Sequence, residues 1–515
     1  MALHAILKDS LFLPGNIPAR RLCANRDQWL RTAEEMRKEN ARLLSLWGAD
    51  DRDRDGGFRI YAAYLLPASV LVVEHFIGDV AAPSCPGIAR FFPAAARMQR
   101  AVRDLLGIAT EELDAPGWLR HGGWPETVFP LRKDFDGNQR YPILSAPYPF
   151  LTVEGDSVHE IAVGPVHAGT IEPGHFRFSV VGEKVLRLEE RLGYTHKGVA
   201  KLFEDLSQQD GHRLAARLSG DSAVAFSWAY CESLESITGT ECPRRALWLR
   251  ALALEQERIA NHLGDLGALG NDAGFAFGLT QFSKMKEDLL RVNAMAFGAR
   301  YLMDYLVPGG VALDLTETAR HSLLDLYDAL EPSVVQMRTH YEEHAGVQDR
   351  FRETGRLEKA TAEKLGAMGL AGRASGIACD LRVHPAWKPY NWLTPNISVQ
   401  TGGDVAARVR IRFDEILESL RLCRNILAEL VAGDIQAAVP AAKEDQTGIG
   451  LVEGWRGPVM IALETGPNGA IRRCHAHDPS WQNWPLLEYA ILGNIVPDFP
   501  LINKSFNLSY SGQDG

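Results

Sequence analysis

His175-Phe176-Arg177-Phe178-Ser179-Val180-Val181-Gly182-Glu183-Lys184-Val185-Leu186-Arg187-Leu188 marks where this chain changes character. Phe176, Phe178 and Val180 alternate with polar neighbours, Gly182-Glu183 supplies a turn, and Val185 to Leu188 returns, which is the pattern of a β-hairpin. Beyond it the hydrophobic period becomes helical. A pattern opens at Pro243, a residue suited to the first position of a helix, and runs to about Gly270. Lys284 to Tyr305 reads as a second helix, stopped by Pro308-Gly309-Gly310, and Thr316 to Glu343 as a third. Asp404 to Val431 is the clearest, with Ile416, Leu420, Cys423 and Leu427 in one stripe. Long amphipathic helices in succession imply a bundle.

Upstream of the hairpin the apolar runs are short and broken by turns. Phe58 to Leu66 and Ser69 to Phe76 read as paired strands around Pro67. Phe91 to Leu106 carries a helical stripe of Ala95, Met98, Val102 and Leu105, and Gly117 to Glu126 reads as loop. Pro142, Pro147 and Pro149 mark a linker. The expected class is α+β: a mainly helical bundle large domain with an N-terminal β-hairpin or sheet over 150–515, preceded by a small α/β domain over 1–145.

The 515 residues suffice for two domains with large cores. A net charge of −10 argues against nucleic acid as a partner. No apolar run reaches the roughly 18 residues of a membrane span, and Met1 to Asp9 lacks the long apolar region of a signal peptide, so a cytoplasmic location is expected. The seven cysteines form no Cys-x-x-Cys pair and suit reduced, buried thiols. No Gly-x-Gly-x-x-Gly follows a strand, so direct nucleotide binding has no support.

A long string of motifs surrounds the hairpin: Gly164-Pro165-Val166-His167-Ala168-Gly169, Glu172-Pro173-Gly174-His175, and Arg191-Leu192-Gly193-Tyr194-Thr195-His196-Lys197-Gly198. Pro243 to Arg250, Glu257-Arg258-Ile259-Ala260-Asn261-His262-Leu263, Arg373-Ala374-Ser375-Gly376-Ile377 and Asp380-Leu381-Arg382 follow in order. From about residue 150 onward the chain resembles the large subunit of energy-converting (formate-hydrogenlyase-type, group 4) nickel–iron hydrogenases, and the homologous large subunit of the complex I peripheral arm. Phe91 to Met98 and Trp118 to Pro130 resemble the small complex I subunit fused ahead of it.

In the hydrogenases two Cys-x-x-Cys pairs hold nickel and iron. The matching positions here are Ser219, Ser222, Ser509 and Gly512. Serine is a hard, un-ionised oxygen and glycine offers no donor, so the resemblance implies a metal-enzyme scaffold without its metal. In complex I the cavity receives a quinone. His167 matches the first loop histidine of that family and Asp272 its supporting aspartate, but the head-group histidine falls on Ile171 and the tyrosine on Gly220. The resemblance further implies no cofactor bound by this chain itself, a possible quinone, an iron–sulfur cluster in a small partner subunit, and membrane ion-translocating partners. The chain is then expected at the inner face of the cell membrane, with any link to NAD running through other subunits.

The candidate catalytic groups are His167, Glu172 and Asp272. Glu172 stands where the hydrogenases place a proton-relaying glutamate; the alternative is a hairpin cap or an arginine pair. Ser219, Gly220, Asp221, Ser222, Arg382, Ser509 and Gly512 are the expected acceptor-cavity residues. Ser219, Asp221 or Ser222 can equally cap the helix that starts near Ala223. Arg382 is expected to pair with a cavity carboxylate. Arg258, His262 and Asp265 share a helix face, either interior or a solvated salt-bridge face.

Overall fold

The computed structural model describes residues 3–143, 147–167 and 171–515. The boundary expected at residue 145 and Ala168-Gly169 of the loop motif lie outside the described residues. The fold is α+β. Strands β1 (Leu11–Leu13), β2 (Ala19–Ala24), β3 (Arg42–Asp51), β4 (Gly57–Leu66) and β5 (Ser69–Ile77) form one sheet in the order β1-β2-β5-β4-β3, with β2 parallel to β5 and the other pairs antiparallel. Leu66 pairs with Ser69, so β4 and β5 turn at Pro67 as the sequence predicts. One face of this sheet packs on α1 (Arg26–Lys38) and α2 (Ala95–Leu106). The other, through Trp47, Tyr61 and Val72, joins the core of the rest of the chain.

The expected hairpin is β7 (His175–Val181) and β8 (Lys184–Arg191), extended by β6 (Val158–Val163). Phe176, Phe178 and Val180 are all fully buried. The helical part contains α3 (Ala223–Thr238), α4 (Arg244–Asp272), α5 (Ala276–Phe297), α6 (Glu317–Glu343), α7 (Gly369–Ala374) and α8 (Val405–Glu429). Three boundaries differ from the sequence reading. Pro243 is the N-cap of α4 rather than its first helical residue. Helix α5 starts eight residues before Lys284, because Gly278 disguises its first turn: the glycine is needed where a Cβ would come within 2.6 Å of the Tyr341 hydroxyl. It also ends at Gly298, whose φ of +82° provides a left-handed cap well before Pro308.

The reading of the second region as mainly helical holds, but it missed a three-stranded antiparallel sheet of β9 (Thr447–Glu453), β10 (Pro458–Thr465) and β11 (Ile471–His477). Every residue of the central strand β10 is buried, so no polar alternation announces it. This sheet lies between α3 and the N-terminal sheet. Helix α9 (Phe499–Phe506) and the short terminal helix α10 (Tyr510–Asp514) close the chain over the start of α3.

Candidate functional site

Three of the four positions matched to metal-binding cysteines meet at the entrance to α3, and the fourth lies beside them. Ser219 and Ser222 form a tight turn, the Ser222 amide donating to the Ser219 carbonyl at 3.0 Å. Ser509 caps α10, its Oγ accepting from the Gly512 amide at 2.9 Å. The Ser219 and Ser509 hydroxyls are 2.8 Å apart, and Ser219 also donates to Asp221 Oδ1 at 2.8 Å. A side chain at Gly512 would meet Asp478 Oδ2 at 2.7 Å, so the buried Asp478 takes the room of the fourth ligand. Burial raises the Asp478 carboxyl, and its Oδ2 has no hydrogen-bond partner.

Asp221 is the centre of the cluster. Arg456 grips its carboxylate with both terminal nitrogens, at 2.7 and 2.5 Å, while Asn261 and Trp455 donate to its backbone carbonyl at 2.7 and 2.8 Å. Desolvation pushes the Asp221 carboxyl up, but the Arg456 guanidinium prevails and holds it below its usual range. Its side chain nonetheless keeps 36% exposure, and Gly220 is exposed beside it. Ser222 occupies the N-cap position of α3 without a capping hydrogen bond. The cap comes from α4 instead: Glu257 accepts from the Val224 and Ala225 amides at 2.7 and 3.3 Å. Burial carries Glu257 up to about 8, so a proton shares this carboxyl near neutrality.

The other expected groups are distributed differently. Glu172 neither caps the hairpin nor pairs with an arginine; its Oε2 accepts from the Ser511 amide at 3.1 Å, tying the loop before β7 to α10. His167 makes no hydrogen bond to the serines; it stacks on Phe176 and donates from Nε2 to the Gly174 carbonyl at 2.9 Å. Asp272, at the end of α4, pairs with Lys504 at 2.7 Å rather than supporting a histidine. Arg382 is 1% exposed and bound to Asp380 and Glu255, so it serves a separate buried cluster, and Arg456 has the partner expected for it. Arg258 and His262 are fully buried, which resolves their helix face as interior. Arg456, Asp478 and Glu257 escaped the sequence reading, and Trp455, expected only to pack in a core or interface, also donates to the Asp221 carbonyl. Arg456 and Trp455 lie in the turn between β9 and β10 of the sheet that was not foreseen, and Glu257 sat in a quoted motif with no hint of its target.

The chain matches two family models: "Respiratory-chain NADH dehydrogenase, 30 Kd subunit" over residues 22–141 and "Respiratory-chain NADH dehydrogenase, 49 Kd subunit" over 272–447. It is 30% identical over 485 residues to formate hydrogenlyase subunit 5 of Escherichia coli, covering 93% of this chain and 85% of that one. It is 26% identical to the C/D subunit of an NADH-quinone oxidoreductase from Bacteroides thetaiotaomicron, over 87% of this chain and 90% of that one. Among solved structures, a chain of the archaeal membrane-bound sulfane sulfur reductase shares the fold, with a TM-score of 0.66 at 24% identity over 70% of this chain and 99% of that one.

Proposed function

The chain belongs to the family in which the 30 kDa and 49 kDa subunits of respiratory-chain NADH dehydrogenase are fused, the family of formate hydrogenlyase subunit 5, and from that premise we propose that it is a coupling subunit of a membrane-bound oxidoreductase complex. It works without a nickel–iron centre. It divides into a small subunit-like domain before about residue 145 and a large subunit-like domain after 150. It docks on an iron–sulfur small subunit and on membrane ion-translocating subunits, at the inner face of the membrane. Among the described residues no helix is long and apolar enough to cross a membrane, so attachment would run through those partners.

One observation carries this reading: the space matched to the metal is filled by a salt-bridged hydrogen-bond cluster. The donors do not fit a soft metal, being hydroxyls and one missing side chain, and the Arg456 guanidinium beside them would repel a cation. A carboxylate and a guanidinium linked to three helices and a sheet instead suit the passing of a charge-dependent signal. The exposure of Asp221 beside Gly220 favours a second reading, in which a quinone or other acceptor reaches this polar floor from outside.

The two readings separate in the intact complex, purified through a tag on this chain. With Arg456→Met, the coupling reading expects electron transfer to continue while ion translocation falls about tenfold, equivalent to roughly 1.4 kcal/mol. Loss of electron transfer with the complex still assembled would favour the acceptor reading. Stoichiometric nickel in the preparation would sink both.

A further inference from the structure

A second cluster of buried charge lies away from the serine cluster, inside the bundle. Four carboxylates (Glu255, Asp380, Glu415 and Glu453) face three guanidiniums (Arg258, Arg373 and Arg382) and the imidazole of His262, and none of the eight residues exceeds 3% exposure. With every carboxylate ionised and His262 neutral, the group carries one uncompensated negative charge, and the buried Arg412 near His262 leaves this balance unchanged because it pairs with Asp265 at 2.8 Å. An uncompensated charge so deep is too costly to keep, so the cluster retains a proton.

Geometry says where. Glu415 accepts twice from Arg373, at 3.1 and 2.7 Å, and from His262 Nε2 at 2.8 Å. Glu255 accepts from the Tyr390 and Ser419 hydroxyls at 2.6 and 2.5 Å and from Arg382 at 3.2 Å. Asp380 takes the Arg382 fork at 2.7 and 3.1 Å. Glu453 receives least: one nitrogen of Arg373 at 3.0 Å and the Leu381 amide at 3.2 Å. Asp380 adds like charge next to it, and the neighbouring Cys379 thiol is itself pushed up by burial and so stays neutral. The other site for the proton, His262, is poor, because its Nδ1 is buried with no acceptor and an imidazolium there would leave an N–H unpaired.

The same residues lead to the serine cluster. Arg258 donates to the carbonyls of Glu453 and Gly454 at 2.8 and 3.2 Å, the next residue Trp455 donates to the Asp221 carbonyl, and Arg456 holds the Asp221 carboxylate. On α4, Asn261 bonds the Asp221 carbonyl while its neighbour His262 faces Glu415. We infer that the bundle core binds one exchangeable proton on Glu453 and that its occupancy is linked to the charge of the Asp221–Arg456 pair. Linkage is reciprocal, so a change of charge at the floor moves the proton and the proton in turn biases the floor. The presence of the proton is independent of the coupling reading; only its use rests on it.

Infrared difference spectra of the full chain, stepped in pH, test this without turnover. Desolvation first, and Asp380 second, place the Glu453 transition at about 7. Glu232 and Glu257, each raised by burial to about 8, contribute their own bands, so the assignment comes from a variant. Glu453→Gln should remove one protonated-carboxyl band, and Asp221→Asn, by deleting a negative charge, should move its midpoint to lower pH by about half a unit or more. If Glu453→Gln fails to fold, Glu453→Asp should keep the band at a shifted frequency. A spectrum unchanged by the Glu453 variants, or a ring-nitrogen titration of His262 in its place, overturns the assignment. A midpoint unmoved by Asp221→Asn overturns the linkage. Failure of the coupling reading shows separately, as intact translocation in Arg456→Met.

Discussion

Asp221 and Arg456 dominate the electrostatics beside the four positions matched to metal-binding cysteines. Three hydroxyls and a glycine supply none of the negative charge that four thiolates would, and here a carboxylate and a guanidinium pair with each other instead. Removing only Asp221 leaves Arg456, 5% exposed, without its counter-charge. Asp221→Asn should therefore cost about 2–3 kcal/mol in denaturant unfolding, below the full cost of breaking a buried pair because Asp221 itself is partly solvated. The double variant Asp221→Asn with Arg456→Met should recover part of that loss, and simple additivity would argue against a mutual pair. At Gly512 the constraint is steric. Gly512→Ala places a methyl 2.7 Å from Asp478 and should destabilise the chain by roughly 1–3 kcal/mol. For the same reason, restoring cysteine at all four positions should not restore nickel, which elemental analysis can check.

Among the elements, α3 depends on a neighbour for its start. Its N-cap Ser222 leaves the first amides free, and Glu257 of α4 supplies the acceptor. Glu257→Ala should cost about 1–2 kcal/mol. Because the folded Glu257 carboxyl is raised from 4.5 to about 8, the folded chain holds a proton that the unfolded chain has lost. Its contribution to stability is complete below about pH 4.5 and disappears as pH rises through 8. His477 of β11 acts in the opposite direction. Burial depresses it from 6.5 to about 4, so its contribution is present above pH 6.5 and is lost as pH falls through 4. Unfolding free energies between pH 4 and 8 should thus fall less toward alkali in Glu257→Gln and less toward acid in His477→Gln; identical profiles for variants and wild type would contradict both assignments.

Across the whole molecule, Asp51 ties the N-terminal sheet to the rest of the chain. It is fully buried and meets Arg54, Arg59, Arg472 and Arg473 at 3.1, 3.0, 3.3 and 2.7 Å. Asp51→Ala removes the acceptor shared by four guanidiniums, each of which keeps another carboxylate partner, and should cost about 1–3 kcal/mol, with unfolding that splits into two transitions as the two parts lose a common anchor. A single transition at the wild-type midpoint would show that apolar packing through Trp47 and Tyr61, with the remaining pairs Arg54–Glu464 and Arg472–Asp53, holds them together without Asp51.

Much of this was legible in the residues themselves. Alternation in Phe176 to Val180 and the stripe from Ile416 to Leu427 are local consequences of periods of 2 and 3.6, and the motif string around the hairpin was specific enough to point to the family. The convergence of Ser219, Ser222, Ser509 and Gly512 came from that resemblance, because nothing in the spacing of residues 290 apart shows that they touch. The chain alone could not reveal β9 to β11, whose central strand is buried on both faces and therefore lacks alternation. It could not assign partners either. Asp272 went to Lys504, Arg382 to Glu255 and Asp221 to Arg456, because the lowest-energy pairing of buried charges depends on which side chains the packed helices bring within about 3 Å, and that distance exists only in the tertiary structure.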